Sequence, residues 1–129
     1  ERSLAMVENP KDSVTPLLLQ AEAYQNLGLT PQVLESLGKA VEAGPQEAPP
    51  YYIRGGTYRL LGQLDLAIAD LSQSSLLTHN YGMAYYIRAL AYTELGREAE
   101  AEEDIEQAVK LGVDENSLMA ANEELKESR

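Results

Sequence analysis

Apolar side chains recur along this chain at the three-to-four-residue spacing of an amphipathic helix. In the stretch 51–61, one helical face carries Tyr51, Gly55, Tyr58 and Leu61. Gly62 follows directly, and glycine often closes a helix because it adopts left-handed backbone angles without strain. The next stripe consists of Leu64, Ala67, Ile68, Leu71 and Ser74. This pattern, continued along the chain, predicts α-helices near residues 15–27, 31–43, 49–61, 65–77, 83–95, 98–111 and 115–127.

The helical pattern itself repeats with a period of 34 residues. The block Tyr-Tyr-Ile-Arg at 51–54 recurs at 85–88. Further columns match at the same shift: Tyr24, Tyr58 and Tyr92; Gly28, Gly62 and Gly96; Leu37, Leu71 and Ile105; Ala40, Ser74 and Ala108. We therefore predict three helix-pair units at 14–47, 48–81 and 82–115. One unit cannot bury its apolar stripe alone, so the units are expected to stack, with residues 116–129 forming a helix that caps the open end.

Composition narrows the classes of function. The chain has 129 residues, of which 44% are apolar, so it has enough material for a core. Its formal net charge of −11 argues against nucleic acid and anionic membranes as partners, because both require a basic surface. No apolar run approaches ~20 residues, so no membrane span is predicted. The absence of cysteine excludes disulfides and thiolate-bound metals, and nothing in the sequence implies a cofactor.

The 34-residue unit resembles the tetratricopeptide repeat, whose pattern is W-x2-L-G-x2-Y, then A-x3-F, then a helix-ending P. Its places are taken by Tyr51 and Tyr85 (Trp), Tyr24, Tyr58 and Tyr92 (Tyr), Ala67 and Ala101 (Ala), Leu37, Leu71 and Ile105 (Phe) and Pro45 (Pro). The resemblance covers residues 14–115. It implies an all-α superhelix, a solenoid of three helix-turn-helix repeats plus a C-terminal capping helix, whose concave groove is lined by the first helix of each unit. Residues 1–13 resemble the tail of a preceding repeat.

One departure from the family pattern predicts ion pairs inside the units. Units two and three place Arg54 and Arg88 where the family has Leu, with Asp70 and Asp104 sixteen positions later, whereas unit one has Gln20 and Ser36. Because the charges occur together and are absent together, each Arg is predicted to pair with the Asp of its own unit. Breaking a buried pair costs roughly 3–5 kcal/mol, so Arg54→Ala is expected to destabilise more than Arg59→Ala. The alternative is that these arginines bind a ligand carboxylate.

The resemblance also implies a binding surface. Repeat positions that face the concave side in the family are held here by Leu18, Glu22, Gln25, Tyr52, Gly56, Arg59, Met83, Tyr86, Leu90 and Thr93. Tyr and Met offer large contact areas at interfaces. We predict that Tyr52 and Tyr86 recognise a protein or peptide segment with apolar anchors. The alternative is that both rings pack against neighbouring repeats, as we expect of the core tyrosines Tyr24, Tyr51, Tyr58, Tyr85 and Tyr92.

The family's clamp for the C-terminal Glu-Glu-Val-Asp of chaperones is not expected here. Its basic and amide places hold Leu18, Glu22, Ile53, Tyr52, Tyr86 and Leu90. These side chains supply no cation for a carboxylate, so an extended or helical segment held by apolar side chains is the expected ligand. The acidic stretch 98–106 is expected to be a solvated outer face; the alternative is that it attracts a basic partner.

The sequence offers no arrangement for catalysis. His79 is the single histidine and lacks a second His or a Cys with which to form a metal site or a triad. Gly55 and Gly56 lie in a helical stripe rather than in a phosphate-binding loop. We therefore predict a non-catalytic interaction scaffold. The alternative is a structural segment of a longer solenoid, or an accessory domain of a larger protein, that self-associates through apolar surface around Leu17, Leu18 and Leu19.

Overall fold

The computed structural model describes residues 13–128, and within this range the chain forms seven α-helices and no strand. They are α1 (Val14–Asn26), α2 (Thr30–Ala43), α3 (Ala48–Leu60), α4 (Leu64–Leu77), α5 (Gly82–Glu94), α6 (Glu98–Lys110) and α7 (Glu115–Ser128). Each helix lies within one residue of its predicted bounds, so the helical pattern of the sequence is confirmed. The predicted tail of a preceding repeat lies outside the described residues, apart from Ser13.

Three glycines end the first helix of each pair. Gly28, Gly62 and Gly96 have φ angles of 76°, 80° and 82°, which is the left-handed region that favours glycine. At each of these turns the next N–H donates back to a carbonyl five residues earlier: Leu29 to Tyr24 (3.0 Å), Gln63 to Tyr58 (2.9 Å) and Arg97 to Tyr92 (2.8 Å). These bonds satisfy carbonyls at the helix end, as in a Schellman motif. Gly112, at φ 101°, ends α6 in a related way before α7.

The helices form three hairpins that stack in chain order. α1 packs on α2, α3 on α4 and α5 on α6, while α2 contacts α3, α4 contacts α5, and α7 packs on α5 and α6. Leu37, Leu71 and Leu118 are the largest apolar side chains that are completely buried. The predicted unit boundaries fall directly before α3 and α5, but the assignment of 14–47, 48–81 and 82–115 as repeats stays a prediction.

The tyrosines expected in the core lie at its edge instead. Tyr24, Tyr51, Tyr58, Tyr85 and Tyr92 are all half-buried, whereas alanine and leucine fill the interior. A phenol has an apolar ring and a hydroxyl that requires a partner, so it is suited to the boundary of a core. Tyr51 illustrates this, because its hydroxyl donates to the carbonyl of Pro45 at 3.1 Å.

Two adjacent glycines in α3 are expected to respond oppositely to alanine. A Cβ at Gly55 would lie 2.7 Å from Leu71 Cγ and 3.2 Å from the carbonyl oxygen of Ala67, whereas a Cβ at Gly56 would meet nothing within 4 Å. We expect Gly55→Ala to lower the free energy of unfolding by about 1–3 kcal/mol through overpacking. We expect Gly56→Ala to raise it by about 0.4–1 kcal/mol through lower unfolded-state entropy. Urea unfolding of both variants checks this, and shifts of the same sign would contradict it.

Candidate interaction groove and its supporting ion pairs

Bidentate ion pairs join the two helices of units two and three. Arg54 donates from Nε to Asp70 Oδ2 at 2.7 Å and from Nη2 to Oδ1 at 2.9 Å. Arg88 donates to both oxygens of Asp104 at 2.7 Å, and its Nη1 also donates to Ser72 Oγ at 2.9 Å. The guanidinium fork matches the carboxylate geometry in both units.

Unit one has a neutral counterpart of these pairs. Ser36 Oγ donates to Gln20 Oε1 at 3.1 Å, again across a separation of 16 residues. The same place in each unit therefore holds an inter-helix polar contact, which is charged in two units and uncharged in the first.

The paired arginines are largely buried against the carboxylates of their own units, with side chains 22% exposed for Arg54 and 18% for Arg88. The Asp104 side chain is only 6% exposed and that of Asp70 only 9%. Hydrogen bonds to Asp70 raise the pKa of Arg54 above its ordinary value, although burial opposes the rise, and Asp104 does the same for Arg88. Because each guanidinium faces the carboxylate of its own unit, the alternative that these arginines bind a ligand carboxylate has no support in the geometry.

A third ion pair, not anticipated from the sequence, links neighbouring units. Arg59 in α3 donates from Nε to Glu94 Oε1 in α5 at 2.7 Å, and the two side chains are 18% and 29% exposed. Arg59 is therefore a poor reference for the predicted effect of Arg54→Ala. A better reference is Arg97, whose pair with Glu100 is 52% and 39% exposed. The sequence signal that could have predicted this pair is the presence of opposite charges on the first helices of two consecutive units.

Six of the predicted groove residues come together between α1 and α3, in what we call the α1–α3 groove. It consists of two adjoining clefts of about 360 and 230 Å³. The first is lined by Leu18, Leu19, Glu22, Gln25 and Ile53, and the second by Gln25, Tyr52, Ile53, Gly56, Thr57, Arg59, Leu60 and Ile87. Gln25 and Ile53 line both clefts, so the surface is continuous from one unit to the next.

Five lining residues were not among the predicted groove positions, and of these only Ile53 lines both clefts. The family positions that define the concave stripe do not include it, although it lies one helical turn before Gly56 and Thr57. Ile53 also packs against the buried cluster of Ala21, Val33 and Leu37. It therefore connects the floor of the groove to the core of unit one.

The predicted groove does not extend openly into unit three. Thr93 is completely buried and Leu90 is 6% exposed, so the expectation that both face an open groove is wrong. The cause is α7, in which Asn122 Oδ1 accepts a hydrogen bond from Thr93 Oγ1. Tyr86 is half-buried and packs against the cluster that contains Leu118 of α7, while Met83 is half-buried and lines neither cleft of the α1–α3 groove.

A further cleft, here called the Ser74 cleft, adjoins this groove at the start of α3. Its volume is about 440 Å³, and it is lined by Ala48, Pro49, Tyr52, Ile53, Ser74, Thr78, Asn80 and Tyr81. The rings of Tyr52 and Tyr81 meet edge to face, with centroids 4.9 Å apart and planes at 70°. Burial, reinforced by the neighbouring Tyr81, raises the pKa of Tyr52 to about 12. The phenol of Tyr52 is therefore neutral at physiological pH and acts in this cleft as an apolar ring with a hydrogen-bonding tip.

Two structural features bear on other classes of function. Between residues 13 and 128 no three His, Asp or Glu side chains are grouped so that they could hold a metal ion. None of the seven described helices combines the length and apolarity needed to cross a membrane. His79 is exposed in the loop between α4 and α5.

Comparisons with known proteins agree with the helix-pair architecture. A family model described as a tetratricopeptide repeat matches residues 84–111. The chain is 33% identical over 103 residues to tetratricopeptide repeat protein 36 of Danio rerio, an alignment that covers 77% of this chain and 55% of that relative. The chain thus spans about half the length of this curated relative.

Two solved structures share the fold over nearly the whole chain. The Arabidopsis OM64 TPR domain has a TM-score of 0.82 at 19% identity, covering 92% of this chain and 98% of that one. The second TPR domain of the human RPAP3 protein, solved in complex with the HSP70 peptide SGPTIEEVD, has a TM-score of 0.82 at 21% identity, covering 91% and 98%. These likenesses agree with the matching family model and with the 34-residue period of the glycine-closed helix pairs. The chain belongs to the tetratricopeptide repeat family.

Proposed function

We propose that this chain is a non-catalytic scaffold that binds a peptide or protein segment in the Tyr-lined α1–α3 groove. The observation that supports this most directly is the continuity of the two clefts, which share Gln25 and Ile53 and together run along two units. A groove that follows the first helices of consecutive repeats suits an elongated ligand better than a compact one. The human RPAP3 domain, which has the same fold, was solved with a bound peptide.

The lining of the groove favours a ligand with apolar anchors. Glu22 and Arg59 are the only charged residues that line its two clefts, and Arg59 is already paired with Glu94. Leu18, Ile53 and Leu60 provide most of the apolar surface beside the ring of Tyr52. Burial of apolar ligand atoms against these side chains would supply the binding free energy.

The test uses two matched glycine variants. Neither Gly56 nor Gly38 would bring a new Cβ within 4 Å of another atom, so both positions accept a side chain without a clash. Gly56 lines the groove, whereas Gly38 lies in α2 and lines neither groove cleft. Gly56→Lys is therefore expected to obstruct the groove and leave the fold intact, and Gly38→Lys introduces the same side chain away from it.

Peptides selected from a displayed random library by the wild-type chain provide the ligands for this comparison. We expect them to share apolar anchors and to bind Gly38→Lys as they bind the wild type. Binding to Gly56→Lys is expected to fall at least tenfold, a loss of about 1.4 kcal/mol, as measured by fluorescence polarisation. Selected peptides that bind all three chains equally would refute the groove as the working surface.

The HSP70 peptide of the RPAP3 complex is expected not to bind this chain. Its C-terminal carboxylates would meet Leu18, Glu22, Ile53 and Tyr52, and the groove's one cation, Arg59, is held by Glu94. Polarisation of labelled SGPTIEEVD should stay flat over the range that saturates a selected apolar peptide. Saturable binding that is lost in Arg59→Ala would show that Arg59 leaves Glu94 for the ligand.

Self-association is the second candidate function, and one repeated feature favours it. Leu27, Leu61 and Leu95 follow α1, α3 and α5 at the same place in each unit, and they are 71%, 44% and 39% exposed. Leu19, near the first unit's predicted open surface, is 61% exposed. If copies associate, sedimentation velocity should show a mass that rises with concentration, and Leu27→Lys should suppress the rise. A constant monomer mass would leave the peptide scaffold as the better proposal.

A further inference from the structure

The Ser74 cleft has a feature that the peptide-groove proposal does not use. Its volume of about 440 Å³ lies within the range of ligand pockets, roughly 300–1,000 Å³. Ser74 lines the cleft and is only 1% exposed, and its buried hydroxyl has no hydrogen-bond partner within the described chain. A buried hydroxyl without a hydrogen-bond partner is unfavourable, so a ligand group that forms a hydrogen bond with it gains affinity. The neighbouring Ser75 differs, because its Oγ donates to the carbonyl of Leu71 at 3.0 Å.

Packing does not require a hydroxyl at this place. The equivalent columns of units one and three hold Ala40 and Ala108, and both alanines are completely buried. Alanine therefore fills the same position between stacked helices wherever the repeat needs only packing. Unit two alone among the three carries a serine here.

In the other two units a valine side chain packs closely against a glycine at the corresponding contact between helices. At unit three a Cβ on Gly82 would lie 2.9 Å from Val113 Cγ2, and at unit one a Cβ on Gly44 would lie 2.7 Å from Val14 Cγ2. The column that holds Val113 in unit three holds His79 in unit two, and His79 is exposed. The open cleft and the unpartnered hydroxyl thus occur in the same unit, which is what a binding site requires.

The lining defines the chemistry of the occupant. None of the eight residues that form the cleft is charged, so the inserted group is neutral. Its walls are the edge-to-face rings of Tyr52 and Tyr81 together with Pro49 and Ile53, which favour a flat aromatic group. The buried Ser74 Oγ then requires one polar atom on that group.

We propose that the Ser74 cleft binds the indole of a tryptophan in the partner segment, with the indole N–H donating to Ser74 Oγ. An indole combines a large apolar surface with a single donor and no acceptor, whereas Phe and Leu would leave the hydroxyl unpaired. Because the cleft shares Tyr52 and Ile53 with the α1–α3 groove, a segment lying in the groove can insert this side chain. The inference rests on the proposed function, since it names an anchor of the same ligand.

The chain contains no tryptophan, so an indole probe excited at a wavelength that tyrosine does not absorb reports its own surroundings. Titration of N-acetyl-tryptophanamide with the full chain should give a saturable blue shift. Ser74→Ala, which reproduces the side chain of the other two units, should weaken binding about 2- to 10-fold, the factor expected of one neutral hydrogen bond. The N-methylindole analogue should lose the same factor on the wild type and none on Ser74→Ala. Ser75→Ala is the matched control and should bind as the wild type does.

Several outcomes would overturn the inference. These are the absence of a saturable shift, equal affinity of wild type and Ser74→Ala for both probes, or tighter binding of N-acetyl-tyrosinamide than of the indole probe. Tyr81→Ala gives a second test, because Tyr81 is 42% exposed and its replacement should weaken binding of the probe without unfolding the chain.

Failure of this inference is distinguishable from failure of the proposed function. If the selected peptides lose binding on Gly56→Lys but contain no tryptophan, the groove proposal stands and the tryptophan anchor is refuted. If the indole probe binds as expected but Gly56→Lys does not affect the selected peptides, the anchor stands and the groove proposal is refuted.

Discussion

Replacing Arg88 with alanine is expected to lower the free energy of unfolding by about 3–5 kcal/mol, because the variant strands a buried carboxylate. The Asp104 side chain is 6% exposed and accepts two hydrogen bonds from Arg88. The same guanidinium donates to Ser72 of α4, so its loss also weakens the contact between α4 and α5. Urea unfolding followed by far-UV circular dichroism measures the change.

Two companion variants show whether the stranded charge is the cause. Arg97→Ala removes an exposed pair with Glu100 and is expected to leave the unfolding midpoint unchanged. The double variant Arg88→Met, Asp104→Leu removes both charges, and it should recover much of the stability lost by Arg88→Ala, since apolar replacements of buried pairs are often neutral. Equal midpoints for Arg88→Ala and Arg97→Ala would show that the pair contributes no more than a surface contact.

Leu118→Ala is expected to lower the free energy that holds α7 in place by about 2–5 kcal/mol, the usual cost of emptying a buried leucine site. Leu118 is 1% exposed and packs with Ala89, Ile105 and Ala108. Apart from Asn122 it is the only buried residue that α7 contributes. Because stacked repeats contact only their neighbours, the loss should appear as local opening of α7 rather than unfolding of the whole chain.

Hydrogen exchange gives the measurement with the required resolution. In Leu118→Ala the amides of α7 should exchange faster, while those of α1 and α2 keep the protection they have in the wild type. Met119→Ala is the matched control, because Met119 is the next residue on the same helix and is 47% exposed. If Leu118→Ala and Met119→Ala exchange alike in α7, the capping contact does not depend on this leucine. Opening of α7 would also uncover Thr93 and Leu90, which would extend the groove into unit three.

Features that depend on nearby residues were predictable from the sequence. Gly28, Gly62 and Gly96 close their helices because a left-handed backbone is local chemistry, and the helix bounds follow from apolar spacing within each helix. Contacts inside one repeat could also be predicted, because the chain contains three copies of the unit whose equivalent positions can be compared. Arg54 and Asp70 were linked by their joint replacement with Gln20 and Ser36 in unit one.

Features that depend on two different units were not predictable in this way. Arg59 and Glu94 belong to facing helices and are 35 residues apart, and no second copy of the pair exists to reveal the link. Thr93 was assigned to an open groove because the family pattern describes a repeat that another repeat follows. Here α7 follows it, and Asn122, 29 residues later, covers the position.

The sequence by itself thus determined the class of the molecule, the seven helices and the ion pairs inside units two and three, because all of these follow from periodicity and short-range geometry. Only the tertiary structure decided which surfaces remain open. The groove lies between α1 and α3 and stops at α5 because of what stacks on each helix. The Ser74 cleft lies in unit two, where Ala48 and His79 stand at the places that Gly82 and Val113 hold in unit three. The exposure of a residue depends on what packs against it, and in a stacked fold the side chains that pack against it belong to the next repeat in the sequence.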